Sequence, residues 1–156
     1  ACCDVNYPII YNKIENSINV KKVDFNPPFL EHLFLIYLGK KQNTQTSIEN
    51  YLKISFDKKY VIEKINFITN EFIHCADLNY FEELVEEHES IISKVISIDP
   101  IQKSTFNDYC DGKIKSLGSW GGDFILVTSR EENNLDYFKK KGFKNIFPLS
   151  EITHIN

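Results

Sequence analysis

Residues 118–123 read Gly118-Ser119-Trp120-Gly121-Gly122-Asp123 and contain three of the six glycines of the chain. Before them, residues 113–117 alternate polar and apolar side chains, as a half-exposed strand does. After them, residues 124–127 form a continuous apolar run that is typical of a buried strand. A glycine-rich segment between two strand patterns predicts a turn that joins two strands of one sheet.

Three glycines are more than such a turn needs. Glycine adopts positive φ angles and has no Cβ, so the loop either cradles a phosphate group with its N–H groups or packs tightly under a neighbouring element. A lone Gly-x-x-Gly-Gly pattern does not decide between these two interpretations. Trp120 is the only tryptophan, and it favours an interface because an indole at the tip of a turn usually covers another group.

The segment before the glycine-rich turn begins with a predicted hairpin and a buried strand. Residues 5–11 and 18–23 are rich in β-branched and aromatic side chains and predict the hairpin, and Asn26-Pro27-Pro28 separates it from the rest of the chain. Residues 33–38 are almost entirely apolar and predict a buried strand, which ends at Gly39. A polar segment, residues 40–47, comes next.

Four helices are predicted between this strand and the glycine-rich turn. Thr46 or Ser47 caps a short helix that runs to residue 51 or 52, and apolar residues at helical spacing mark a second one over residues 61–72. Asp77 caps a third, the most regular in the chain. A fourth begins at Asp99-Pro100 and is closed by Gly112.

The third helix carries the charged residues that most resemble a site. His88 lies on its apolar stripe, where we interpret it as a core histidine because no acidic or nucleophilic partner can be placed beside it. An acidic run falls mainly on the opposite face, which we interpret as solvated and without a ligand; it comprises Glu82, Glu83, Glu86, Glu87 and Glu89.

A helix and a strand complete the chain. Asn133 or Asn134 caps the helix, and Gly142 ends it. Residues 144–149 predict a last strand, in which Pro148 indicates a sheet edge or a strand end. From residue 32 onward the order is that of an α+β, ferredoxin-like split βαβ fold (β-α-β-β-α-β) with extra helices in the first crossover, preceded by a β-hairpin.

The composition argues against several classes of protein. A chain of 156 residues fits one domain, and its formal charge of −4 disfavours a nucleic-acid partner, which needs clustered Lys and Arg. No apolar run approaches the ~20 residues that span a bilayer, and the start lacks a signal-peptide pattern. The cysteines and histidines lack zinc-site spacing. We therefore expect a cytoplasmic protein with no metal site and no membrane or nucleic-acid partner.

The whole string from Lys115 to Phe124 resembles the third conserved motif of the GHMP kinases, the galacto-, homoserine, mevalonate and phosphomevalonate kinase superfamily. In that family a Lys-x-[Thr/Ser/Leu]-Gly-[Ala/Ser]-x-Gly-Gly loop joins two strands of a ferredoxin-like carboxy-terminal domain. Residues 26–43 and 137–143 are similar to a bacterial branch close to phosphomevalonate kinases. The resemblance covers essentially the whole chain.

The resemblance implies a division of the chain. Residues 1–25 would be a β-hairpin from the end of a missing amino-terminal kinase domain, and residues 26–156 would be the GHMP kinase carboxy-terminal domain. The segment that begins Ala1-Cys2-Cys3-Asp4 resembles the residues directly after the family's Gly-Tyr-Asp-Ile-Ala segment. We therefore expect the catalytic aspartate to lie before Ala1, and the family's phosphate loop has no counterpart here.

The resemblance also implies an activity: ATP-dependent phosphoryl transfer to a mevalonate- or phosphomevalonate-like acceptor, with ATP and Mg²⁺ required by the complete enzyme and neither bound by this chain alone. The expected cofactor-binding residues are Gly118, Ser119, Trp120, Gly121 and Gly122. The expected contacts to an anionic acceptor are Lys40, Lys41, Thr44, Thr46 and Ser47, which are otherwise a solvated loop with a helix cap.

Two alternatives remain open at this point. The chain is either the carboxy-terminal part of such a kinase, inactive alone, or a free-standing ferredoxin-like binding or regulatory module without catalysis. In a third arrangement the amino-terminal kinase half is a separate polypeptide. That arrangement predicts an exposed apolar face on this chain.

Overall fold

The structure is a computed structural model that describes residues 7–14, 17–39, 51, 54–118, 120 and 122–152. Its strands are β1 (Ile9–Ile14), β2 (Ser17–Lys22), β3 (Leu33–Tyr37), β4 (Ile114–Ser116), β5 (Phe124–Thr128) and β6 (Ile146–Pro148). Its α-helices are α1 (Lys58–His74), α2 (Leu78–Ile96), α3 (Ile101–Thr105), α4 (Asp136–Lys140) and α5 (Leu149–Ile152). Short 3₁₀ helices precede β3 at Leu30–His32 and α4 at Glu132–Leu135.

Four strands form one antiparallel sheet in the order β4-β5-β3-β6. β5 lies beside β3 with Leu33 opposite Thr128 and Tyr37 opposite Phe124. The connection from β3 to β4 therefore passes over β5, and the connection from β5 to β6 passes over β3. This is the split βαβ arrangement, and it confirms the α+β, ferredoxin-like prediction, with α1, α2 and α3 in the first crossover.

The predicted hairpin is confirmed as a separate two-stranded sheet of β1 and β2. Its strands pair from Ile9 opposite Lys22 to Ile14 opposite Ser17, so the first strand begins and ends later than the predicted residues 5–11. Every residue of β2 is exposed. The hairpin therefore contributes little to the core.

Both faces of the four-stranded sheet are covered by helices. Successive side chains of a strand point to opposite faces, and in β5 Ile125 and Val127 pack with Phe106 and Phe138, near α3 and in α4. Leu126 packs instead into the cluster that contains Phe81 of α2. The sheet is thus the shared wall of two hydrophobic clusters.

The third predicted helix is confirmed with its cap. Asp77 accepts a hydrogen bond from the backbone N–H of Tyr80 at 2.8 Å, and α2 then runs to Ile96. α1 has the same kind of cap, since Asp57 accepts from the N–H of Tyr60 at 3.1 Å. The short helix predicted after Thr46 or Ser47 lies mostly outside the described residues.

The predicted fourth helix is wrong at both ends. Its N-cap is Pro100 and not Asp99, and it ends at Thr105, because the backbone leaves the helical conformation at Phe106 with a φ of −127°. Gly112 does not terminate a helix. A Cβ there would lie 2.2 Å from the backbone oxygen of Thr128, so this glycine allows two backbone segments to approach closely.

The last two elements also differ from the prediction. Asn133 and Asn134 do not cap a helix, because they lie inside the 3₁₀ helix that leads directly into α4. β6 stops at Pro148, at the edge of the sheet as predicted, and Leu149 begins α5. None of the helices in the described ranges is long and apolar enough to cross a membrane.

Candidate functional site

The glycine-rich loop connects β4 to β5 at one end of the sheet, as predicted. The backbone N–H of Leu117 donates to the oxygen of Phe124 at 3.3 Å where the loop begins. Gly118 has a φ of 67° and Trp120 one of 47°, both in the left-handed region. A Cβ on Gly118 would meet nothing within 4 Å, so the backbone conformation and not crowding requires glycine there.

The end of β3 lies directly beside this loop. The N–H of Leu38 donates to the backbone oxygen of Asp123 at 2.7 Å, and the rings of Tyr37 and Phe124 are 5.1 Å apart. Gly39 follows with a φ of 69°, in the left-handed region. Gly39, the last described residue before the polar segment, therefore lies at the same end of the sheet as the glycine-rich loop.

The structure describes only part of the predicted site. Among the expected cofactor-binding residues, Gly118, Trp120 and Gly122 are described, and Ser119 and Gly121 lie outside the described residues. The residues expected to contact the anionic acceptor also lie outside the described residues: Lys40, Lys41, Thr44, Thr46 and Ser47. The roles of all these residues stay predictions.

A largely buried lysine, Lys115, lies on β4 shortly before the loop. The Nζ atom of Lys115 is 3.2 Å from Nδ1 of His88 and 3.6 Å from Oε1 of Glu89, across from β4 on α2. Burial lowers the pKa of Lys115, and the Glu89 carboxylate partly opposes this shift. A local charge cluster thus connects the strand that leads into the loop with the longest described helix.

The structure corrects two predictions made from the sequence of this helix. His88 does have a charged neighbour, and the acidic run is not wholly solvated, since Glu82 and Glu89 are 7% and 3% exposed. Helical periodicity missed both because the partners come from distant parts of the chain. The available signal was Lys115 itself, a charged residue on a strand whose neighbours Ile114 and Ser116 are buried.

A second network closes the opposite end of the sheet. Arg130 donates from both terminal nitrogens to the Glu82 carboxylate, at 3.0 and 2.8 Å, and from one of them to the backbone oxygen of Asp111 at 2.7 Å. The hydroxyl of Thr128 donates to the same carboxylate. The hydrogen bond to Glu82 raises the pKa of Arg130. Arg130 is the only arginine of the chain and directly follows a buried strand, which was the signal available in the sequence.

The chemistry at the two ends therefore differs. The Arg130 network has mutually satisfied donors and acceptors, which is typical of a structural role. The loop end combines left-handed backbone with free space around Gly118, which is typical of a ligand-binding loop. In the part of the chain that the structure describes, no group of three His, Cys, Asp or Glu side chains could hold a metal ion.

Comparison with solved structures identifies the same architecture in kinases. The mevalonate kinase of L. major, solved in complex with R-mevalonate, aligns with a TM-score of 0.65 and 15% identity over 89% of this chain and 47% of its own. A protein from Listeria innocua aligns with a TM-score of 0.62 and 16% identity, over 83% of this chain and 43% of its own. Another mevalonate kinase gives 0.60 and 19%, over the same shares.

These alignments confirm at the level of fold the likeness that the glycine-rich motif implied. The chain spans less than half the length of each of these structures. No protein-family model matches the sequence, and no curated protein matches it. The comparisons therefore establish the shared fold alone.

Proposed function

We propose that this chain is the carboxy-terminal part of an ATP-dependent GHMP-type kinase that phosphorylates a small acceptor similar to mevalonate or phosphomevalonate. One observation carries the proposal. In a fold shared with mevalonate kinases, the glycine-rich loop and the end of β3 lie at the same end of the sheet, joined by the Leu38–Asp123 hydrogen bond.

The loop would serve as one wall of the phosphate-transfer region. Phosphoryl transfer depends mainly on positioning and on neutralising charge at the transferred group. The open space beside Gly118 leaves its backbone accessible to a phosphate, and backbone N–H groups in left-handed turns attract anions. In this proposal Gly118, Ser119, Trp120, Gly121 and Gly122 line the phosphates of ATP.

The polar segment after β3 would hold the acceptor. Lys40 and Lys41 supply positive charge for a carboxylate or phosphate, and Thr44, Thr46 and Ser47 supply hydroxyl groups for hydrogen bonds. Because Leu38 is hydrogen-bonded to Asp123 and only Gly39 separates it from Lys40, we place these residues within reach of the loop. An acceptor bound there would face the phosphates that the glycine-rich loop positions.

An amino-terminal kinase half would complete the site. The described residues supply no carboxylate cluster suited to Mg²⁺, so we assign the ligands of Mg²⁺, the phosphate loop and the catalytic aspartate to that half. ATP supplies the transferred phosphoryl group. We place the enzyme in the cytoplasm, and we expect this chain alone to bind neither ATP nor Mg²⁺ productively.

The hairpin supports this division. Tyr11 lies opposite Val20, and Lys13 lies opposite Ile18, so one face of the hairpin carries Tyr11, Val20 and Ile18 together. Tyr11 is 55% exposed and Ile18 is 62% exposed. Because an isolated two-stranded hairpin is marginally stable in water, this face needs a cover. We assign residues 1–25 to the amino-terminal half and residues 26–156 to the carboxy-terminal domain.

A coupled assay of ADP release tests the proposal. The chain alone should show no turnover with mevalonate, phosphomevalonate, homoserine or galactose, and the complete polypeptide or the reconstituted pair of halves should turn over at least one of them. Rapid turnover by the chain alone contradicts the division of the site. A complete protein without any kinase activity favours the free-standing binding module.

A further inference from the structure

Two ion pairs join α2 to β4 and to the residue before it, and they differ in burial. The Nζ atom of Lys113 lies 2.6 Å from Oε2 of Glu86, and these side chains are 36% and 65% exposed. The Nζ atom of Lys115 lies 3.6 Å from Oε1 of Glu89, and these side chains are 17% and 4% exposed. Residues two apart on a strand share a face, as do residues three apart on a helix. The two pairs are therefore a buried and an exposed version of the same kind of contact.

The buried pair is tied to the backbone directly before the loop. The Lys115 ammonium also donates to the backbone oxygen of Ser116 at 3.3 Å and lies 3.2 Å from Nδ1 of His88. Ser116 is the last residue of β4, and Gly118, with its left-handed backbone, follows two positions later. β4 is a three-residue strand at the edge of the sheet, with β5 as its neighbour. Such a short edge strand depends on contacts with the helices for its position.

The pair gains little stability from its burial. Within the described residues, neither carboxylate oxygen of Glu89 accepts a hydrogen bond, so its charge is balanced by the ion contacts with Lys115 and His88. Burial lowers the pKa of Lys115 despite the attraction of Glu89, which means that lost hydration outweighs that attraction. Replacing a buried ion pair with apolar side chains is often neutral or stabilising, whereas removing one partner is destabilising. Stability alone therefore does not explain this pair.

We propose that Lys115 and Glu89 are positioning residues, which fix the end of β4 against α2 and so hold the glycine-rich loop in one arrangement. A buried charge must stay beside its partner, whereas apolar side chains can slide past one another at little cost. The loop needs such support because Trp120 has a φ of 47°, which only the surrounding structure can enforce on a bulky residue. The effect on the loop concerns this chain alone, and its consequence for catalysis rests on the proposed kinase function.

A comparison of two double variants tests the energetic part. Lys115→Met alone should raise the ratio of unfolded to folded chain about tenfold or more, because it leaves the Glu89 carboxylate buried without its cation. Lys115→Met/Glu89→Leu should bring that ratio back to within about threefold of the unaltered chain, or below it. The matched control is Lys113→Met/Glu86→Leu, which removes the exposed pair between the same segments and should change the ratio little. Urea unfolding measures all three.

Trp120 reports on the loop, because it is the only tryptophan and is half-buried. Acrylamide quenching of its fluorescence in the folded chain should increase about twofold in Lys115→Met/Glu89→Leu, since the loop then samples more than one arrangement. Quenching in Lys113→Met/Glu86→Leu should match that of the unaltered chain. In the complete polypeptide, kcat for ADP release should fall about tenfold in the first double variant and stay within about twofold in the second.

Two results would overturn the positioning role. One is a Lys115→Met/Glu89→Leu chain as unstable as Lys115→Met alone, because the pair would then be an ordinary stabilising contact. The other is a stable Lys115→Met/Glu89→Leu chain in which Trp120 is quenched as in the unaltered chain or as in the control. If quenching changes as expected while the complete polypeptide has no kinase activity, the positioning role is supported and the proposed function fails.

Discussion

The two ends of the four-stranded sheet differ in how their polar groups are satisfied. At the end where β5 finishes, Arg130, Glu82 and Thr128 form a connected network of hydrogen bonds. At the end where β5 starts, Gly118 and Trp120 have left-handed backbones and the Ser116 hydroxyl is unpaired within the described residues. Sites that bind ligands often retain such strain and unpaired groups, whereas the rest of the fold compensates for them. We therefore interpret the Arg130 end as structural and keep the loop end as the proposed functional site.

The largest expected effect concerns the structural end. Glu82→Ala removes the common acceptor of Arg130 and Thr128 and should lower the free energy of unfolding by about 3 kcal/mol, because the buried Thr128 hydroxyl loses a charged acceptor and the half-exposed Arg130 loses two hydrogen bonds to it. Urea unfolding monitored by circular dichroism measures this loss of unfolding free energy relative to the unaltered chain.

The control for that variant is its neighbour on α2. Glu83 is exposed, so Glu83→Ala should change the free energy of unfolding by no more than about 0.5 kcal/mol. If the two variants lose equal stability, the Arg130 network does not hold this end of the sheet.

A smaller effect is expected where two backbones meet at the same end. Gly112→Ala places a Cβ 2.2 Å from the backbone oxygen of Thr128 and should cost about 2 kcal/mol of stability. Gly142→Ala has only left-handed backbone strain, with a φ of 95° and no atom within 4 Å, and should cost about 1 kcal/mol. Thermal unfolding of both variants tests whether Gly112→Ala loses more stability than Gly142→Ala. The opposite result would show that the backbone at Thr128 moves away from the added methyl group at little cost.

The smallest effect is a pH dependence near the loop. Lys115 has a lowered pKa in the folded chain, so the unfolded chain binds more protons between that pKa and 10.5. Stability contributed by Lys115 must therefore rise as the pH rises through this window. Lys115→Met should remove this rise, and the difference between the two proteins isolates it from titrating tyrosines. If the free energies of unfolding of the unaltered chain and of Lys115→Met changed in parallel with pH, this result would contradict a buried ammonium at Lys115.

Local patterns predicted most of the elements. The N-cap Asp77, the apolar run at residues 33–38 and the glycine-rich turn each identify their element from neighbouring residues alone. The failures concern contacts between elements. Arg130 lies 48 positions from Glu82, and no periodicity within α2 indicates that a guanidinium will cover that carboxylate.

Gly112 illustrates the same limit at a single residue. A glycine after a helical pattern indicates a helix end, but this one is required by a backbone oxygen 16 positions further along the chain, in Thr128. The position of the loop end as a candidate site was predictable from the motif. The unpaired Ser116 hydroxyl was not, because it depends on the packing of β4 against α3 and the segment after α4.

The central claim is that the glycine-rich loop lines a kinase cleft, and one comparison of variants in the complete polypeptide tests it. Gly118→Ala and Gly142→Ala each place a Cβ in open space on a backbone with positive φ, 67° and 95°, so the control carries at least as much strain. If the loop positions phosphates, Gly118→Ala should lower kcat/KM for ADP release by about tenfold or more, whereas Gly142→Ala should stay within about twofold. Equal activity in the two variants would contradict the account.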